Sequence, residues 1–204
     1  MKSILVTYYQ FLRHLGKHKK KISYLQLTGR IEDYLVKEFI CFAHEKKIFA
    51  ISNYGKKNQQ QVDICLLKGT LRDPKIYGMI EAKYLRNVHR AWSGNATDEI
   101  VPALRSLKRQ LHIFKRSKHG RLGVNLIAHS DNIYGLVFAS YVSRKKDEIK
   151  KKGYYDSILE KAERDFRYHD LPKPYFRPVY DDVKIKALDA TFFVTLKCGL
   201  WKRK

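Results

Sequence analysis

From Gly29 the apolar residues fall at helical spacing. Ile31, Tyr34, Leu35, Phe39 and Phe42 recur every three or four positions, which predicts one buried side of a helix running to about Glu45. At about 100° per residue, Glu32 and Glu38 fall on opposite shoulders of that stripe, and either can turn toward a site. The period then shortens to two. "KIFAIS" predicts a short strand, "NYGKKNQQQ" a polar loop and "VDICLL" a second strand. "LKGTLRDPK" supplies the Gly, Asp and Pro of a turn, and "IYGMIEAKYL" predicts a third strand. "NVHRAWSGNATDE" reads as a loop ending at Asp98, an N-cap for a helix from Glu99 to about Arg116, with Pro102 tolerable in its first turn. Two more strand-like runs follow, "LGVNLIAH" and "IYGLVFASYV", separated by the turn signal "SDN".

The flanks read differently. Residues 1–28 open with aromatic and aliphatic residues and turn basic in "RHLGKHKKK", the composition of a solvated flap or a phosphate-contacting arm. After residue 142 comes a charged helical pattern, "SRKKDEIKKKGYYDSILEKAERDF", interrupted at Gly153. "LPKPYFRPVY" reads as irregular because of its prolines, and "ATFFVTLKCGLW" as a final strand. The pattern therefore predicts an α/β core over 29–142, a basic N-terminal segment over 1–28, and a basic helical and irregular extension over 143–204 packed on that core.

Charge narrows the function classes. Lys and Arg number 42 against 20 Asp and Glu, a net +22 in 204 residues. Such a surface repels itself and calls for a polyanionic partner, nucleic acid first and DNA ahead of RNA. Cys41, Cys65 and Cys198 are odd in number and widely spaced, which argues against a disulfide framework or a structural zinc site and for a reducing, cytoplasmic setting. No apolar run approaches the ~20 residues of a membrane span, and "MKSILVTYYQF" lacks the apolar region and cleavage site of a secretion signal. A homodimer or a protein partner stays open.

An acidic residue, any residue and then lysine occurs five times in this charged chain, at Glu45, Asp73, Glu81, Glu148 and Asp182. Only "EAK" lies in a strand-like run. There Ile80, Ala82 and Tyr84 share one side, while Met79, Glu81 and Lys83 share the other. The preceding strand repeats the device, with Val62, Ile64 and Leu66 opposed to Asp63 and Cys65. Paired in suitable register, Asp63 and Glu81 reach one cation together. Two close carboxylates repel unless such a cation lies between them, and Mg²⁺ (or Mn²⁺) takes one or two carboxylates with waters and phosphate oxygens. A lysine beside them can help deprotonate a water or offset charge in the transition state. This chemistry suits phosphodiester hydrolysis.

The order of a helix with Glu, a strand with Asp and then Glu-x-Lys on the next strand resembles the PD-(D/E)XK nuclease superfamily over residues 29–142. The resemblance implies the restriction-endonuclease-like fold, an αβββαβ core with a central mixed sheet flanked by helices. It implies Asp63, Glu81 and the backbone carbonyl of Ala82 as metal ligands and Lys83 as the catalytic lysine. "GRIEDYLV" is similar to the Gly-x-x-Glu start of archaeal Holliday-junction resolvases, which favours Glu32 as the helix carboxylate, with Glu38 in reserve. Gln110 and Phe114 in "RQLHIF" resemble the Gln-x-x-x-Tyr element of the RecB nuclease domain, with Phe in place of Tyr, and imply that Gln110 orients a water or phosphate. Gln61 and Val62 precede the Asp where the family often has Pro.

Other candidates are weaker. His14 and His18 are four apart, but Gly16 and the basic surroundings suit a solvated helix end, and no H-E-x-x-H motif is present. Trp92 can stack on a base or pack. Ser140 and Ser143 have no nucleophile-elbow context. The reading that competes with a nuclease is a basic nucleic-acid-binding protein that keeps such a fold without catalysis.

Overall fold

A computed structural model describes residues 4–29, 31–54, 62–69, 74–86, 117–119, 124–128, 133–144 and 175–202. Their architecture is mixed α/β. Three helices, α1 (Ile4–Lys17), α2 (Lys19–Thr28) and α3 (Glu32–Glu45), precede the strands β1 (Phe49–Tyr54), β2 (Val62–Gly69), β3 (Pro74–Arg86), β4 (Ser117–His119), β5 (Val124–Ala128), β6 (Ile133–Ser143), β7 (Tyr175–Ala187) and β8 (Ala190–Lys202). The sheet runs β1-β2-β3-β6-β8-β7. It is mostly antiparallel, but β6 and β5 both run parallel to β3, on the edge opposite β2. A parallel neighbour demands a crossover connection. The helix expected over 99–116 lies in that connection and, with Gln110, Phe114 and Trp92, outside the described residues, as does most of the charged run after Arg144.

The helix and strands expected between Gly29 and Tyr84 form close to their expected bounds, and one side of the sheet explains why. Ile64, Leu66, Ile80, Ala82, Leu136 and Phe138 present a continuous apolar surface, on which Leu35, Phe39 and Phe42 of α3 close. Cys65, Leu67 and Met79, on the other side of β2 and β3, are also buried, so both faces exclude water. Burial pushes the Cys65 and Cys198 thiols well above their ordinary pKa, which leaves them as small apolar side chains rather than nucleophiles.

Two regions depart from the sequence expectation. The segment read as a basic arm folds as α1 and α2, and its buried residues belong to the central cluster. Ile4, Tyr8, Phe11, Leu12 and Leu15 follow a helical stripe that the following lysines obscure. Phe11 meets Phe39 edge-on at 5.0 Å and Phe42 at 5.7 Å. The Tyr8 hydroxyl donates to the Cys198 carbonyl at 2.7 Å, tying α1 to β8. α2 buries polar groups as well: Gln26 donates to the Ser140 hydroxyl and accepts from the Tyr180 hydroxyl. A buried amide with both ends satisfied fixes position more sharply than an apolar contact.

The second departure is the part of the irregular-looking tail from Tyr175 on, which is β7 and not coil. Among the described residues β7 pairs on one side only, with β8, and an edge strand tolerates proline. Pro178 lies beside the first of two register irregularities, and Asp182, at the second, takes a positive φ of 51°.

If α1 is core rather than arm, Phe11→Ala should destabilise the protein by about 3–5 kcal/mol, and deleting residues 1–28 should remove the cooperative unfolding transition. Urea unfolding followed by circular dichroism measures both. A deletion that still unfolds cooperatively with an unchanged midpoint would return the segment to the status of an appendage.

Candidate active site

The pairing of β2 with β3 sets the geometry. Ile64 lies opposite Ile80 and Cys65 opposite Met79, and the paired positions stop there although β3 continues to Arg86. Extending the register by one residue sets Asp63 opposite Glu81. Like charges directly opposed across an antiparallel pair are destabilising, so nothing in the sheet itself favours this arrangement. Both residues are half-buried, and Cys65 and Met79 on the same face are fully buried. The acids therefore stand where a dry sheet face meets a strand end.

Beyond Ile80 the β2-facing edge of β3 finds a different partner. The amide of Ala82 donates to Oδ2 of Asp63 at 2.7 Å, and the amide of Tyr84 donates to Oε2 of Glu32, also at 2.7 Å. Glu32 is the first residue of α3 and comes from a different element than Asp63. Buried Ile31 anchors the start of that helix, and the acidic first turn, Glu32 and Asp33, suits the positive end of its dipole. Amides two residues apart on one strand edge are separated by roughly 7 Å. Two carboxylates from separate elements are thus fixed side by side along the stretch that contains Glu81, Ala82 and Lys83.

Within a strand, a residue's N–H and C=O point to the same edge. The Ala82 carbonyl therefore faces the edge on which Asp63 is held. Asp63, Glu81 and this carbonyl make an all-oxygen donor set, the kind that suits a hard divalent cation. Among the described residues no group of three or more His, Cys, Asp or Glu side chains gathers closely enough to hold a metal by itself. Any cation here would complete its shell with waters and phosphate oxygens, as Mg²⁺ usually does. Lys83 is placed by its backbone, two positions past Glu81 and opposite Val137 of β6.

The two helix glutamates separate. Glu32 reaches β3, while Glu38 turns to α1, where its Oε1 lies 2.7 Å from Nε2 of His14. Burial pushes the Glu38 carboxyl up, but hydrogen bonds from His14 and Tyr34 and the charges of His14 and Lys21 outweigh it and hold the group below the ordinary carboxylate range. His14 is occupied by that contact, and its ring lies tilted against that of His18, with centroids 4.8 Å apart. Ser140 is engaged with Gln26, away from this edge.

The amides of Ala82 and Tyr84 are the contributors that sequence reasoning missed. Every residue but proline carries such a group, so only the end of the β2–β3 ladder marks these two. The α1–α2 corner exposes Lys17, Lys19, Lys20 and Lys21, and Lys21 lies over the Tyr34 ring of α3 at 5.2 Å. These cations are available to a polyanion that reaches this corner.

No family model, curated protein or solved structure matches this chain. The chemistry of the site carries the functional argument alone.

A carboxyl held low in the folded state stabilises above its unfolded pKa, and that contribution disappears as pH falls through its folded pKa. Glu38→Gln should therefore be less stable than wild type near neutral pH. The difference should narrow once pH drops below the ordinary glutamate value of about 4.3. Urea midpoints across that range test this, and a gap that widens toward acid would contradict the contact's sign.

Proposed function

We propose that this protein is a metal-dependent nuclease of the PD-(D/E)XK type, with a restriction-endonuclease-like core, that hydrolyses phosphodiester bonds in DNA. The observation that carries the reading is the convergence of Glu32 and Asp63 on the β3 edge beside Glu81. A helix carboxylate and a strand carboxylate are held at one strand edge by backbone amides two residues apart, with a third acid beside them. The resemblance noted in the sequence orders these same three elements the same way.

Asp63, Glu81 and the Ala82 carbonyl would hold Mg²⁺ or Mn²⁺, which when bound would polarise the scissile phosphate and acidify a water. The backbone hydrogen bond from Ala82 holds Asp63 by one oxygen, which orients the carboxylate without removing its charge. Glu32, fixed by Tyr84, would order the attacking water from the far end of the same edge. Lys83 would take up a proton from that water or offset charge on the phosphate. Gln110, in the role the resemblance gives it, would orient a water or phosphate. The exposed lysines of the α1–α2 corner would grip the backbone without reading sequence.

The competing reading, a basic nucleic-acid-binding protein without catalysis, draws on the net charge of +22. It does not account for Glu81 standing opposite Asp63.

The test is cleavage of supercoiled plasmid and of linear, branched and single-stranded DNA with Mg²⁺ or Mn²⁺, with EDTA as control. Cutting should require metal, and Glu81→Ala and Lys83→Ala should each lower it at least about a hundredfold while leaving DNA binding in EDTA nearly intact. Replacing Lys17, Lys19, Lys20 and Lys21 by Gln should instead weaken binding and flatten its log–log salt slope by about 0.9 for each phosphate no longer neutralised. Tight, salt-sensitive binding with no cutting under either metal would favour the non-catalytic reading.

A further inference from the structure

The β7–β8 hairpin ends in a feature that the described residues do not explain. Its turn is Leu188-Asp189, and Leu188 is fully exposed with a positive φ of 54°. Only the first of the two central residues has positive φ, a position where tight hairpin turns favour glycine. Leucine there strains the backbone and gains no burial in return. A residue wrong for its turn and wrong for water points to an apolar environment supplied from outside, and such local violations concentrate at functional sites.

The surroundings say what kind of partner fits. β6 supports β8 only as far as Ser143 opposite Phe193. Beyond it, Ile185 is still buried in the core, and past Ile185 the pairs Lys186–Thr191 and Ala187–Ala190 form, among the described residues, a two-stranded ribbon that extends about 7 Å. Lys184 and Lys186 are exposed along one side of the hairpin, and exposed Arg144 covers Phe192 at 5.5 Å at the ribbon's base. Asp181 and Asp182 lie further back, at the β7 irregularity. Through the register β7–β8–β6–β3, the two lysines share the sheet face of Asp63 and Glu81. Trp201 is level with Glu81 and stands eleven positions along β8 from Ala190 beside the turn. That spacing is about 35 Å, close to one turn of duplex DNA.

We propose that this hairpin is a duplex-engaging arm, in which Leu188 wedges between two stacked base pairs about one helical turn from the carboxylate edge. A two-stranded ribbon fits a DNA groove, and apolar side chains at such tips unstack base steps. Lys184 and Lys186 lie along the flanking phosphates. Asp189, which phosphate would repel, meets an exocyclic amino group on a base edge. The proposal rests on the nucleic-acid part of the function proposed above and not on its catalytic part.

The experiment uses the full chain in EDTA with a set of DNA duplexes of about two helical turns, carrying 2-aminopurine stepped through each position. Wild type should raise emission at one step, the sign of unstacking. Leu188→Gly should unfold at the same or a higher temperature, because glycine takes the positive φ freely. It should lose the emission rise and bind about ten- to hundredfold more weakly, the worth of burying one leucine side chain. Leu188→Phe should keep the rise. No rise with wild type at any position, or an equal rise and affinity with Leu188→Gly, overturns the arm. Metal-dependent, Glu81-dependent cutting alongside that result would leave the nuclease reading intact. Leucine-dependent unstacking by a protein that never cuts would sink the nuclease reading and keep the arm.

Discussion

Once β2 has parted from β3, the amides of Ala82 and Tyr84 still need acceptors, because a backbone N–H at a half-buried strand edge is costly to leave unmade. Asp63 and Glu32 meet that need. The same two contacts finish the ladder, set the entry of α3 against the sheet and fix two carboxylates beside Glu81. Structure and candidate chemistry here share their atoms. A substitution at Asp63 or Glu32 therefore acts on both.

What holds α3 in place lies behind it. Its N-terminal turn can deliver Glu32 to Tyr84 only if the helix is fixed in rotation and along its axis. Phe39 and Phe42 lock against Phe11 of α1, and Tyr8 of the same helix is tied to β8. Gln26 of α2 is held between Ser140 and Tyr180, on β6 and β7. Because α2 joins α3 through a short connection, that buried amide constrains where Glu32 begins. The helices at the start of the chain thus support the site from the side of the sheet opposite Asp63.

The parts of this arrangement legible in sequence are those governed by short periods. The stripe from Ile31 to Phe42 specifies α3, and alternation around Asp63 and Glu81 places both acids on one side of adjacent strands. Choosing between Glu32 and Glu38 is beyond periodicity, since both flank the same stripe; tertiary contacts with Tyr84 and His14 separate them. Segment 1–28 misleads because its net charge masks the helical spacing of Tyr8, Phe11 and Leu15. In β7, Pro178 and the prolines just before the strand obscure an element that, among the described residues, pairs on one side only, where a missing N–H costs little. α2 hides for another reason: its buried side includes Ser23 and Gln26, which no hydrophobic pattern can reveal.

Charge balance gives the site its remaining character. In a molecule of net charge +22, acids are scarce, and most of the field they feel is positive. Such a field lowers the cost of keeping Asp63 and Glu81 ionised opposite one another, but it also repels any divalent cation that approaches. Backbone amides help with the first problem, since they orient a carboxylate while leaving its full charge to oppose the second. A bound polyanion would act on the second directly, by neutralising lysines such as those at the α1–α2 corner. Under the proposed function, the basic surface and the acidic edge would act as one electrostatic arrangement, in which a polyanion covering the first would make the second fitter for a cation.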